Sequence, residues 1–123
     1  MSARHPRLDT GRAASVPHTV VIERDIRIVL AAPAMGEGAP SLAAIEHTLT
    51  AGYARAMALD AEQCRLRRHM TDLAVRAADG EVESHASELK SHAARLRSSE
   101  RELLQLRDLL AELRQRAART RAA

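Results

Sequence analysis

Apolar side chains recur along this chain at alternating intervals of three and four residues, in two runs of closely similar length on either side of Asp79-Gly80. The first run is Leu42, Ile45, Leu49, Gly52, Ala56, Leu59, Gln63, Leu66, Met70, Leu73 and Ala77. The second is Val82, His85, Leu89, His92, Leu96, Ser99, Leu103, Leu106, Leu110, Leu113 and Ala117. A repeat averaging 3.5 residues keeps one stripe of a helix against a partner helix. The count breaks between Ala77 and Val82, where Gly80 suits the left-handed position that follows a helix end. Ser41 stands where an N-cap belongs. The pattern predicts an all-α protein built on an antiparallel two-helix coiled-coil hairpin, with helices over 41–78 and 82–118, a turn at 79–81 and a basic tail at 119–123.

A turn centred on Asp79-Gly80 places Leu49 level with Leu110, Ala56 with Leu103, Gln63 with Leu96 and Met70 with Leu89. Large residues then oppose small ones toward the open end, as interdigitated packing requires. Near the turn His85, His92 and Ser99 interrupt the apolar seam. Gln63 resembles the buried polar residue that fixes register in coiled coils, and Gly52 allows close approach of the helices.

Two helices cover each seam on one side only, and ordering costs roughly 1.5 kcal/mol per residue against roughly 1.5–3 for each large apolar side chain buried. More burial is needed. A second stripe offers it: Tyr53 and Met57 on the first helix, Leu104 and Leu109 on the second. The simplest use is dimerisation into a four-helix bundle with Leu103, Leu106, Leu110 and Leu113 in its core. The same face also suits an amphipathic helix of a different protein.

Upstream, residues 1–18 contain Pro6, Gly11 and Pro17 with scattered charge and little apolar content, and read as disordered. In 19–31, Val20, Ile22, Ile26, Ile28 and Leu30 share one parity and charged Glu23, Asp25 and Arg27 the other, which predicts a short β-strand or docking segment. The competing reading is helical, because Ile22, Ile26 and Val29 also share a helical face. A lone strand must pair with another chain, and the alternative is a short apolar segment that folds back along the helices. Pro33, Gly36, Gly38 and Pro40 mark 32–40 as a flexible link.

Composition agrees with long helices: one Tyr, no Phe and no Trp leave Leu and Ala to do the packing. Arg in place of Lys, with Lys90 the only lysine, suggests a GC-rich bacterial genome. Cys64, as the single cysteine, has no partner for an internal disulfide. No apolar run reaches the roughly 20 residues of a bilayer span, and Arg4, Arg7 and Arg12 are not followed by the apolar core of a secretory signal. A cytoplasmic protein without membrane contact is therefore expected. Charge is uneven: residues 114–123 carry Arg114, Arg116, Arg119 and Arg121 with no acid, while 41–113 hold ten basic and twelve acidic residues. Those four arginines are the candidate contacts for phosphates or an acidic surface, although solvated arginines also complement the dipole at a helix end.

For chemistry the sequence offers little. His69, His85 and His92 converge near the turn as a polar, potentially pH-sensitive tip, since unperturbed imidazoles titrate near neutrality. No HxxxH spacing puts two histidines on adjacent turns of one helix, and no metal is assigned. Asp60, Glu62, Asp72 and Glu88 read as solvated charges on outer helix faces. There is no Gly-rich phosphate loop, nucleophile elbow or Cys/His zinc framework, so neither catalysis nor a cofactor is expected. Ser98, Arg101 and Gln105 fall at the spacing of the middle of E-x3-S-x2-R-x3-Q-x3-D, and this stretch resembles the motif of cyclic-di-GMP-binding anti-sigma hairpins. Ala94 and Leu109 stand where that motif has Glu and Asp, and the first helix carries no copy.

The expected function is thus a non-enzymatic coiled-coil interaction module, an adaptor or scaffold acting through a homodimer and a further protein. The alternatives are an anti-sigma-like regulator that binds a transcription component, or nucleic acid through the Arg tail, and a structural subunit of a larger assembly. Electrostatic nucleic-acid binding would weaken steeply with salt, and one tyrosine offers little for base stacking.

Overall fold

The computed structural model describes residues 18–80 and 82–123, and the side chains of these except 82–84. Three helices make up the architecture: α1 (His18–Ala31), α2 (Leu42–Ala78) and α3 (Val82–Ala122). No strand occurs among the described residues. The segment expected as a strand is therefore corrected to a helix, and the basic tail expected at 119–123 is the last turn of α3. The segment expected to be disordered lies outside the described residues except for His18, which opens α1.

α2 begins as its sequence dictates. The Ala44 amide donates to Ser41 Oγ at 3.1 Å, satisfying one of the donors that a helix start leaves open. At the other end the Asp79 and Gly80 amides donate to the carbonyls of Arg76 and Ala77, and Gly80 takes φ +110°, where a side chain would be strained. α3 then runs back along α2. The buried amide of Gln63 donates to Ser99 Oγ at 3.2 Å. Gln63 thus faces Ser99 rather than Leu96, and Gly52 rather than Leu49 faces Leu110. The register is three residues away from that expected of a turn centred on Asp79-Gly80. One polar pair explains the choice: in this register the buried Gln63 and Ser99 satisfy each other, whereas opposite Leu96 the amide would be buried without a partner.

Every described seam position is buried or half-buried, from Leu42 to Ala77 on α2 and from His85 to Ala117 on α3. The core concentrates at the open end, where Ile45, Leu49, Ala56 and Leu59 pack with Leu103, Leu106, Leu110, Leu113 and Ala117. Ile26 of α1 completes that cluster at 0% exposure. α1 folds back antiparallel to α2: Arg55 Nε donates to Thr19 Oγ1 at 2.7 Å near its start, and Arg116 holds the carbonyls of Leu30 and Ala32 at its end. Its inward face, Thr19, Glu23 and Ile26, follows the three-to-four spacing of a helix. Burial against two helices overrides the strand-like alternation, because β-propensity reflects fit to a sheet surface and no sheet is offered here.

At Gly52 of α2, side chains of both other helices come close. A Cβ there would overlap Leu110 Cδ2 and stand 3.6 Å from Ile26 Cδ1. Substituting glycine normally strengthens a helix by about 1 kcal/mol. Gly52→Val is expected to do the reverse, lowering stability by about 1–3 kcal/mol through overpacking. Chemical denaturation followed by circular dichroism would check this, and a stability gain would show that the core has room.

Candidate functional site

An antiparallel helix pair has two flanks beside its seam. α1 covers one, the flank bearing Arg55 on α2 and Arg116 on α3. Among the described residues the other stays open, and it carries a polar ladder at seven-residue spacing. Arg121 pairs with Glu46 at 3.0 Å, Arg114 donates to the Tyr53 hydroxyl at 3.3 Å, Arg107 pairs with Asp60 at 3.1 Å and Arg67 with Glu100 at 2.9 Å. Each ion-paired side chain is about half exposed, so each rung contributes roughly 0–1 kcal/mol and serves register more than stability.

Between the rungs lie apolar side chains. Met57 is 72% exposed and Leu104 64%, and they bracket the Asp60–Arg107 rung. A groove of about 550 Å3 opens beside them, lined by Tyr53, Ala56, Met57, Leu110 and Ala111 with Asp60, Arg107 and Arg114 at its edges. The expected association face is thereby divided. Tyr53, Met57 and Leu104 share the open flank, whereas Leu109 is half-buried against the core on the Arg116 side. Leu104 and Leu109 are five residues apart, about 140° around a helix, so they could not share a narrow stripe. Leu103, Leu106, Leu110 and Leu113 are 0–4% exposed within the chain's own core. They support the surface and do not form it.

The C-terminal arginines are largely engaged with the chain itself. Arg116 is 5% exposed, and its guanidinium donates to the carbonyls of Leu30, Ala32 and Pro33. These are the unsatisfied carbonyls at the end of α1, the negative pole of its dipole, which a planar cation complements. Arg114 and Arg121 are rungs of the ladder. Arg119 and Arg116 line a cavity of about 400 Å3 with Met35, Pro40 and Thr120, where the α1–α2 link meets the end of α3.

At the other end, near the turn, His69 of α2 and His92 of α3 stack edge to face, with ring centroids 4.7 Å apart and planes at 82°. His85, one heptad before His92, is buried on the seam at 6% exposure. The carboxylate of Glu88 joins the first two: one donor atom each from His69, Glu88 and His92 lie within 4.8 Å of one another. Glu88 had read as a solvated surface charge. The signal that would have found it is E-x3-H, which sets Glu88 and His92 on adjacent turns of one helix face, as HxxxH does for two histidines. Cys64 is exposed and outside this cluster.

The residues of the anti-sigma-like motif, Ser98, Arg101 and Gln105, are all exposed on α3, where Arg101 borders a shallow groove with Arg97, Glu100 and Leu104. Among the described residues no helix is long and apolar enough to cross a membrane. No protein-family model, curated protein or solved structure matches the chain.

Proposed function

We propose that the chain is a non-enzymatic helical interaction module that pairs with a second copy of itself through the flank α1 leaves uncovered. The observation that carries this reading is the exposure of Met57 and Leu104 on either side of the Asp60–Arg107 rung, on a surface that is otherwise an ordered ladder. Packing two such flanks together brings four long helices into one bundle with each α1 on its outside. Rungs of both polarities, acid on α2 opposite Arg on α3 and the reverse at Arg67–Glu100, make the flank self-complementary under a two-fold axis. Ile26 is buried in the core of the single chain, so on this reading pairing is not needed for folding and should depend on concentration. A further protein partner would then act on the paired form as on an adaptor or scaffold. The C-terminal arginines favour protein association over nucleic acid, since three of the four are held by groups of the chain itself.

Light scattering behind size-exclusion chromatography over a hundredfold dilution series, a range of about 2.7 kcal/mol in free energy, tests the proposal. The wild-type chain is expected to shift between dimer and monomer. Combined Met57→Asp and Leu104→Asp, both exposed in the single chain, should give a monomer at every concentration with helicity intact. A wild-type chain monomeric throughout would sink the self-association reading.

A further inference from the structure

The end of the hairpin near the turn is held differently from the rest. α1 packs against the opposite end, and the continuous core cluster includes nothing between Leu59 and Leu103. Over that stretch, among the described residues, α2 and α3 have only each other, across a seam interrupted by Gln63, Ser99, His92 and His85. Most of these groups find partners. Gln63 and Ser99 bond to one another, but His92 Nδ1 is buried with no hydrogen-bond partner among the described residues. A buried ring nitrogen without a partner is costly, and in a native fold calls for an unseen ligand, water or ion.

His92 also stands among side chains that can hold a metal ion. His69 approaches it from α2 and Glu88 from one turn earlier on α3, with a donor atom of each of the three within 4.8 Å of the others. Donors around a tetrahedral zinc ion, at bonds of about 2.0–2.1 Å, stand about 3.4 Å apart. His69 and Glu88 are exposed and His92 half-buried, so the approach of the donors to that spacing falls to the two exposed side chains. We propose that His69, Glu88 and His92 form a transition-metal site, with Zn2+ as its ion, that clips α2 to α3 at the end of the hairpin away from α1.

The donor set selects this class of ion. Two imidazoles and one carboxylate suit a borderline cation, whereas Ca2+ and Mg2+ take oxygen ligands. Three protein ligands leave one position for water or for a residue of another protein. Arg65 and Arg95, which line a shallow groove beside His69 with Glu62, place positive charge nearby and should moderate affinity. The site lies twelve residues along α2 from Met57, about 18 Å, so it stands or falls independently of the self-association surface.

The test uses the full chain after chelator treatment and titrates it with Co2+, whose ligand-field spectrum reports coordination directly, followed by displacement with Zn2+. One equivalent per chain is expected, with a rise in the melting midpoint and no change in molecular mass. His69→Ala and Glu88→Gln, both at exposed positions, should keep wild-type helicity and weaken Zn2+ binding at least about tenfold each, the loss that disturbing even an outer partner of a ligand brings. Cys64→Ser should leave binding unchanged. Absence of a tetrahedral Co2+ spectrum, equal affinity in the His69→Ala and Glu88→Gln variants, or binding only with chain cross-linking would each overturn the proposal.

Discussion

Leu106→Asp is expected to abolish cooperative folding. Leu106 has 0% exposure and packs within the cluster where α1, α2 and α3 converge. Truncating such a leucine costs about 2–5 kcal/mol, and a carboxylate placed there must either remain charged away from water or take up a proton. The combined cost approaches the whole stability of a domain of this size, about 5–15 kcal/mol. Circular dichroism should show loss of most helical signal and of any sharp thermal transition. Arg119→Glu, on the outer side of the last turn, should melt like wild type. A Leu106→Asp chain with wild-type helicity and midpoint would mean that the packing described for the open end is wrong.

The second large effect is expected at Arg116. Its guanidinium joins α3 to the end of α1, donating to Ala32 O at 2.9 Å and also to the carbonyls of Leu30 and Pro33. Hydrogen bonds to a charged group contribute roughly 1.5–3 kcal/mol each, and without the cation these carbonyls lose donors at a partly buried site. Arg116→Met keeps the apolar stem while removing the fork, so α1 should loosen by about 3 kcal/mol without unfolding α2 and α3. Hydrogen exchange resolved by segment should show α1 amides exchanging about a hundredfold faster, with protection at Leu59 and Leu106 retained. Arg116→Lys should recover only part, since a point charge cannot reach several carbonyls at once. Uniform exchange in wild type and Arg116→Met would show that α1 is held by Ile26 alone.

How much of this was legible in the sequence depends on how local the determinant is. The seam positions, the Ser41 cap and the turn near Gly80 are written in spacing and residue type, and the long helices follow from them. The three-residue offset in register was harder to see, because it turns on which residue satisfies Gln63, and only pairing the two runs with hydrogen bonding in mind selects Ser99. α1 was ambiguous for a physical reason. Val20 to Leu30 satisfies both a period of two and a helical face, and the arbiter is a groove made by residues far along the chain. Arg116 read as part of an exposed cationic end for the same reason, since its partners are backbone carbonyls that carry no sequence signature. Glu88 is legible by spacing: four residues before His92, it shares a helix face with that histidine one turn away.

The clamp between Arg116 and the end of α1 also sets an order of events in biosynthesis. The Leu30 carbonyl and the guanidinium that holds it are 86 residues apart in the chain. At about 5–20 residues per second, a ribosome takes roughly 4–17 s to make the second after the first. Throughout that interval Val20 to Leu30 has neither its clamp nor its groove, and its alternating β-branched pattern is the kind that pairs edge to edge with other chains. A nascent chain of this protein therefore passes through a window in which its least helical segment is exposed. Slowing translation downstream of α1 should raise aggregation, and synonymous codons that speed it should lower it, with no amino acid changed.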